Sequence, residues 1–283
     1  MSDAEAHAFD ADMRRANRKK AVEGRSVIFK IKRCDGPGKP NRWESFKVPV
    51  EQGANVISSL KLIAANPITT EGTKTTPVVW DSGCLEEVCG ACTMVINGRV
   101  RQSCSCLIDE YAPLEGDVIT LEPMSKFPVI RDLWVDRDRL FNALTRVKAW
   151  VPIDGTYNMG AGPKESPDHQ QMRYALSECM SCGCCLEACP QYNKEEDPEK
   201  WDTSFVGAHA ISQARLFNEH GTGKRLKGER YDALSGPGGV NDCGNAQNCV
   251  KVCPKGIPLT ESIGAVGRGT TVHAIKRFFE GKK

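Results

Sequence analysis

Cys179-Met-Ser-Cys182-Gly-Cys-Cys185-Leu-Glu-Ala-Cys189-Pro190 decides how the second half of this chain is organised. Its spacing is C-x2-C-x2-C-x3-C-P. Runs of this kind hold cuboidal iron–sulfur clusters through thiolates, and the fourth cysteine of each run serves the other cluster of a pair. A partner run is therefore expected elsewhere. Counting back from the other Cys-Pro pair, Cys253-Pro254, Cys249 and Cys243 fall at the expected positions, but the one between them is Ala246. The partner run is the same motif with its second cysteine missing.

Crossed connectivity then sorts the ligands. Cys179, Cys182, Cys185 and Cys253 make four, enough for a [4Fe–4S] cluster. Cys189, Cys243 and Cys249 make three, which suit the three irons of a [3Fe–4S] cuboid. The alternative is a four-iron cluster whose fourth iron is open or bound by another group. Each proline stops its helix just after a ligand and lets the chain turn from one cluster to the other.

A third constellation lies upstream. Cys84, Cys89, Cys92 and Cys104 follow C-x4-C-x2-C-x11-C, the plant-type ferredoxin spacing for a [2Fe–2S] cluster. Zinc also accepts four thiolates, but it usually pairs two short Cys turns, and here three cysteines share one loop. The ligands account for eleven of the 14 cysteines in 283 residues. Cys34, Cys106 and Cys184 remain and read as small core residues, Cys184 pointing away from the cluster its neighbours bind.

Around these motifs the chain reads as α+β. Residues 1–25, with the basic stretch Arg14–Lys20, read as a solvated or frayed helical tail, with contact to anionic lipid as the alternative. Ser26–Arg33 and Trp43–Val50 read as strands, and Asn55 or the nearby Gly53 starts a helix that Asn66-Pro67 ends. Residues 77–83 read as a short strand. Asn97-Gly98 after Met94-Val-Ile96 marks a type I′ hairpin, and 118–121 is a last strand. This gives a plant-type [2Fe–2S] ferredoxin-like domain of the ubiquitin-roll kind over 26–130. Residues 131–283 then read as a mainly α-helical, bacterial-ferredoxin-like domain. Its first helix runs through Leu133, Leu140, Leu144 and Val147, and 153–169 and 221–241 are loops.

Composition narrows the function. The net charge of +2 lacks the basic excess of a nucleic-acid binder. The first 25 residues carry no apolar stretch of the signal-peptide kind, and no apolar run is long enough to span a bilayer. With no secretory signal, clustered cysteines point to metal in a reduced compartment rather than to disulfides. No G-x-G-x-x-G or H-E-x-x-H motif occurs, and the five histidines are scattered. The chain reads as an electron conduit between a donor and an acceptor. A zinc-stapled interaction protein is the non-redox alternative.

The order of these motifs resembles the iron–sulfur subunit of succinate dehydrogenase and fumarate reductase, the complex II family. Glu87-Val-Cys-Gly-Ala-Cys92, Phe127-Pro-Val-Ile-Arg-Asp-Leu133 and Asn248-Cys-Val-Lys-Val-Cys-Pro-Lys-Gly256 add to the resemblance. It implies a partner flavoprotein with FAD that oxidises succinate to fumarate. Electrons then pass to the [2Fe–2S], [4Fe–4S] and [3Fe–4S] clusters and on to a quinone at a membrane anchor subunit. The chain itself would hold no substrate site and would sit on the cytoplasmic face of a bacterial inner membrane. Many ubiquinone-reducing relatives place tryptophan shortly after the first Cys-Pro and histidine after the first cysteine of the second run. Here those regions read Gln191-Tyr192-Asn193-Lys194 and Gly244-Asn245, so the ubiquinone-pocket residues do not carry over, and a quinone role for Tyr192, Asn193 and Lys194 competes with ordinary subunit surface. Lys148–Tyr157 and Gln213–Asn218 are similar to the Bacillus-type enzymes, which implies menaquinone and a di-haem cytochrome b anchor. Iron–sulfur subunits of other oxidoreductases, such as those acting on heterodisulfides or hydroxyacids, usually carry two complete runs, and Ala246 argues against them.

Overall fold

The computed structural model describes residues 3–152 and 164–281. The chain divides into two compact units, residues 1–136 and 137–283. The first begins with α1 (Asp3–Lys20) and continues through β1 (Ser26–Arg33), β2 (Arg42–Pro49) and α2 (Val56–Ala65). The hairpin β3 (Thr93–Ile96) and β4 (Arg99–Gln102) follows, then α3 (Ile108–Tyr111) and β5 (Val118–Glu122). The sheet order is β2-β1-β5-β3-β4, with β1 parallel to β5 and every other pair antiparallel.

Period-two alternation sets which face of β1 is inward. Val27, Phe29 and Ile31 are fully buried, and α2 lays Val56, Ile57, Leu60 and Ile63 into the same core. Asn55 caps α2, accepting from the Ser58 amide while Ser58 Oγ accepts from the Asn55 amide, a reciprocal capping box. Asn97 and Gly98 have φ of 49° and 73°, the double left-handed turn whose twist matches a two-residue hairpin.

The same alternation carries Arg33 inward, where its guanidinium is fully buried. It donates from Nε to Asp132 Oδ1 at 2.8 Å and from Nη2 to Asp132 Oδ2 at 3.1 Å, a fork on a carboxylate that is itself fully buried. Asp132 also accepts from the amides of Cys34 and Val79. These bonds replace the strand expected at 77–83. Pro77 has no N–H to offer a ladder, and the Val79 amide goes to a side chain instead. Leu133 likewise lies outside any helix. It follows Asp132 (φ 48°) in a tight connection between two further short strands, β6 (Val129–Arg131) and β7 (Trp134–Val135), and is buried in the sheet core.

The segment read as a tail contains α1, which is held to its own unit. Arg18 pairs with Glu110 at 2.5 Å, and Asn17 donates to the Glu110 carbonyl at 2.9 Å. Cys34 and Cys106 are buried, as expected of core thiols.

The second unit is helical, with α4 (Asp138–Arg146), α5 (Pro167–Ser177), α6 (Cys184–Glu187) and α7 (Gly207–Glu219). They are followed by α8 (Lys227–Ser235), α9 (Asn248–Lys251) and α10 (Leu259–Phe279). Of the loop expected over 153–169, residues 153–163 lie outside the described residues. The segment 221–241, expected as loop, contains α8. All its glycines but Gly228, which lies in the first turn, flank the helix, and Arg230 at its centre is fully buried and anchors it. That side chain donates to the carbonyls of Lys148 (3.0 Å), Gly223 (2.7 Å) and Trp150 (2.8 Å) and to Asn218 Oδ1 (3.2 Å). Arg139 and Arg146 act similarly, donating to the carbonyls of Asn193 and Phe205 and of Ser204, Ala233 and Pro237. Among the described residues no helix is long and apolar enough to cross a membrane.

Replacing Arg33 by Met leaves Asp132 buried without its cation. We expect a loss of about 3–5 kcal/mol, read as a lower urea midpoint for the N-terminal unit. Adding Asp132→Asn should recover part of it, and an unchanged midpoint in the single variant would show that the pair contributes nothing.

Candidate metal centres

In the first constellation the backbone turns its amides toward sulfur. Leu85, Glu87 and Gly90 all have left-handed φ (62°, 55° and 71°), and successive turns of this sort form an anion-binding nest. The amides of Glu86, Val88 and Cys89 donate to Cys84 Sγ at 3.4, 3.3 and 3.3 Å, and that of Glu87 to Cys104 Sγ at 3.3 Å. The amides of Cys84 and Ala91 face Cys89 Sγ at 3.4 and 3.5 Å. The Glu86 and Val88 amides, in that order, lower the Cys84 thiol to about 7, whereas burial pushes Cys92 up to about 12. Cys92 and Cys104 are buried, while Cys89 lies at the surface. Asn55 Nδ2 donates to the Cys104 carbonyl at 3.0 Å and so ties the fourth cysteine to the start of α2.

The two later runs share a backbone as well as a spacing. Ser181 and Gly183 have φ of 50° and 86°, and Asn245 and Gln247 have 53° and 58°. Each left-handed pair flanks the second position of its run, Cys182 in one and Ala246 in the other. Each is followed at once by a one-turn helix, α6 or α9, that contains the third cysteine. Ala246 thus stands where the complete run has Cys182, in a loop of the same backbone, and is exposed.

Cys179, Cys182, Cys185 and Cys253 line one cavity with the apolar Ile257 and Leu259. Burial pushes Cys179 up to about 11 and Cys185 well above the usual thiol range, and it also raises Cys253. Cys249 is raised to about 11, first by burial and then by the nearby Cys189 and Cys243, so these three also share a neighbourhood. Asn248 Nδ2 donates to the Ala188 carbonyl at 3.1 Å, joining the second run to the first. Thiolates gathered in an apolar space repel one another and lose hydration. A cationic metal cluster offsets both effects, and the residues present fit such a group. Among the described residues, no three or more His, Cys, Asp or Glu side chains converge on a single metal ion.

Two expectations are corrected here. Cys184 does not turn away: it lines the same cavity, and its hydrogen bond to Cys182 is the largest influence lowering that thiol. Residues 192–194 are not one surface. Tyr192 is buried, with the Arg139 guanidinium 4.1 Å from its ring centroid, and burial raises its phenol to about 12. Asn193 and Lys194 line a polar recess with Arg139 and Gln191. Gln191 also lies over Gly244, where a Cβ would overlap its carboxamide, so the space a larger residue at 244 would take is filled.

Sequence reading missed the arginine forks and His209. The arginines look like surface charges until the fold is known. A lone histidine in Gly207-Ala-His-Ala-Ile211 has no motif around it.

A model described as a 2Fe-2S iron-sulfur cluster binding domain matches residues 28–142, and one described as a 4Fe-4S dicluster domain matches 175–257. The fold and the thiols thus define an iron–sulfur protein with a [2Fe–2S] domain ahead of a dicluster domain. The chain is 52% identical over 257 residues to the succinate dehydrogenase iron-sulfur subunit of Bacillus subtilis, covering 91% of this chain and 97% of that one. It is 31% identical over 191 residues to the fumarate reductase iron-sulfur subunit of Wolinella succinogenes, covering 67% and 76%. A chain of the Mycobacterium smegmatis Sdh1 complex in the apo form superimposes with a TM-score of 0.70 over 90% of this chain and 98% of that one. Its 20% identity makes this a likeness of fold. The chain belongs to the family of iron–sulfur subunits of succinate dehydrogenase and fumarate reductase.

Gly207 opens α7 with φ +84°, and a Cβ there would overlap Leu186 of α6, the helix that carries Cys184 and Cys185. Gly207→Ala should cost about 1–2 kcal/mol for the left-handed backbone alone. It should also lower the iron retained per chain after gel filtration. A variant with the parent's melting temperature and iron content would show that α6 tolerates the displacement.

Proposed function

We propose that this chain carries single electrons between an FAD-containing flavoprotein subunit that oxidises succinate to fumarate and a quinone at a membrane anchor subunit. Cys84, Cys89, Cys92 and Cys104 hold a [2Fe–2S] cluster. Cys179, Cys182, Cys185 and Cys253 hold a [4Fe–4S] cluster, and Cys189, Cys243 and Cys249 a [3Fe–4S] cluster. When bound, such clusters supply one-electron redox chemistry at potentials set by charge, hydrogen bonds and exposure. The chain's own part is to hold the irons by thiolates, direct amides at sulfur and keep water out with the apolar lining of the deeper site.

The observation that carries this reading is the broken run. Its loop keeps the left-handed pair and the one-turn helix of its complete counterpart but has Ala246 where a ligand belongs. Supporting it, the exposed Leu85 and Val88 frame Cys84 and Cys89 with apolar surface, as a face that meets a partner would. The similarity to the Bacillus subtilis subunit favours menaquinone and a di-haem cytochrome b anchor, and a place on the cytoplasmic face of the membrane. A low-potential quinone makes fumarate reduction feasible as the reverse flux, and the Wolinella succinogenes relative keeps that direction open.

The test is electron paramagnetic resonance on the chain isolated with its partners. The oxidised sample should show the signal of a three-iron cuboid. Cys189→Ser should abolish that signal, and Ala246→Cys should replace it with a four-iron centre that is silent when oxidised. Cys184→Ala, which removes no proposed ligand, should keep all three clusters. A three-iron signal that persists in Ala246→Cys, or one absent from the parent, would sink the assignment. Separately, the complex should reduce a menaquinone analogue with succinate as donor. Turnover with a ubiquinone analogue alone would overturn the quinone assignment.

A further inference from the structure

His209 lies in the first turn of α7 and lines the same cavity as Cys179, Cys182, Cys185 and Cys253. Its side chain is almost wholly buried, and every residue from Gly207 to Ser212 is buried with it. Neither ring nitrogen has a partner at full hydrogen-bond geometry, and the ring's one weak contact of that kind is with the Leu140 backbone. In either protonation state the ring carries at least one N–H.

A buried donor left unsatisfied costs about 1–3 kcal/mol, and natural cores rarely retain one without reason. A water molecule would need two to four polar partners of its own. Beyond the thiols, the cavity is lined by the apolar Met180, Pro254, Ile257 and Leu259, by Ser181, whose hydroxyl donates to Cys179, and by Lys255, whose ammonium accepts nothing. The acceptors that the site is built to receive are sulfurs. We propose that the His209 N–H donates a hydrogen bond to a sulfur of the [4Fe–4S] cluster and thereby raises the reduction potential of that centre. This rests on the reading that Cys179, Cys182, Cys185 and Cys253 hold the cluster. It makes His209 a positioning and tuning residue rather than a ligand, since four thiolates already serve four irons. The sign follows from charge. Reduction adds an electron to sulfur-rich density, so a fixed donor favours the reduced form more than the oxidised one.

The experiment uses the chain isolated with its partners from cells fed 15N-histidine. Pulsed electron paramagnetic resonance on the reduced four-iron centre should detect a weak coupling to one histidine nitrogen, and His209→Leu should abolish it. In a redox titration His209→Leu should make reduction of that centre about tenfold less favourable, a fall of ~59 mV for one electron. His209→Gln, which restores an N–H, should recover part of the fall, and the potentials of the other two centres should stay in place. A four-iron signal without histidine coupling in the parent protein overturns the proposal whatever the variants do. So does an unshifted potential in His209→Leu, or a coupling strong enough for a direct iron–nitrogen bond. Absence of any four-iron signal overturns the cluster assignment as well, which separates the two failures.

Discussion

Sulfur that holds iron away from water must find its hydrogen-bond donors in the protein, and here the main chain supplies them. An amide is free to face sulfur only in a loop or in the first turn of a helix, where no ladder or intrahelical bond claims it. Each cysteine loop therefore carries left-handed residues two positions apart: Leu85 and Glu87, Ser181 and Gly183, Asn245 and Gln247. These loops are irregular by necessity. The rest of the fold serves to hold irregular backbone still.

Two devices do that. In the N-terminal unit the fully buried Arg33–Asp132 pair joins β1 to the connection between β6 and β7, and Asp132 also takes the Val79 amide just ahead of the cysteine loop. In the second unit Arg139, Arg146 and Arg230 each donate to backbone carbonyls of other segments. Arginine suits this role because its planar fork reaches several acceptors and stays charged. Burial gives the same groups a penalty when a partner is lost, so these contacts favour one arrangement strongly over looser ones.

Much of this was legible in the residues. Cys-Pro punctuation and cysteine spacing picked out three groups of thiols, Asn97-Gly98 marked the turn, and of the two candidate starts of α2 the cap is Asn55 rather than Gly53. The failures share a cause. Leu133 fits a helical period, but Asp132 beside it is taken by Arg33, 99 residues away in sequence. The glycine-rich segment around α8 reads as loop because Arg230's partners come from Lys148, Trp150, Asn218 and Gly223. Cys184 seems spare by counting, yet its thiol acts on Cys182 in the same cavity.

Local spacing determined the class of chemistry, since thiolate ligands of one cluster must recur at intervals that a short loop can bridge. It also exposed Ala246 where the repeat calls for a cysteine, because a repeat shows its own gap. Tertiary structure alone decided what stands around the sulfurs. It brought Cys253 to a cavity lined by residues some seventy positions earlier, filled the space over Gly244 with Gln191, and set a buried imidazole from α7 against four thiols. Those placements come from packing between distant segments. No periodicity along the chain records them.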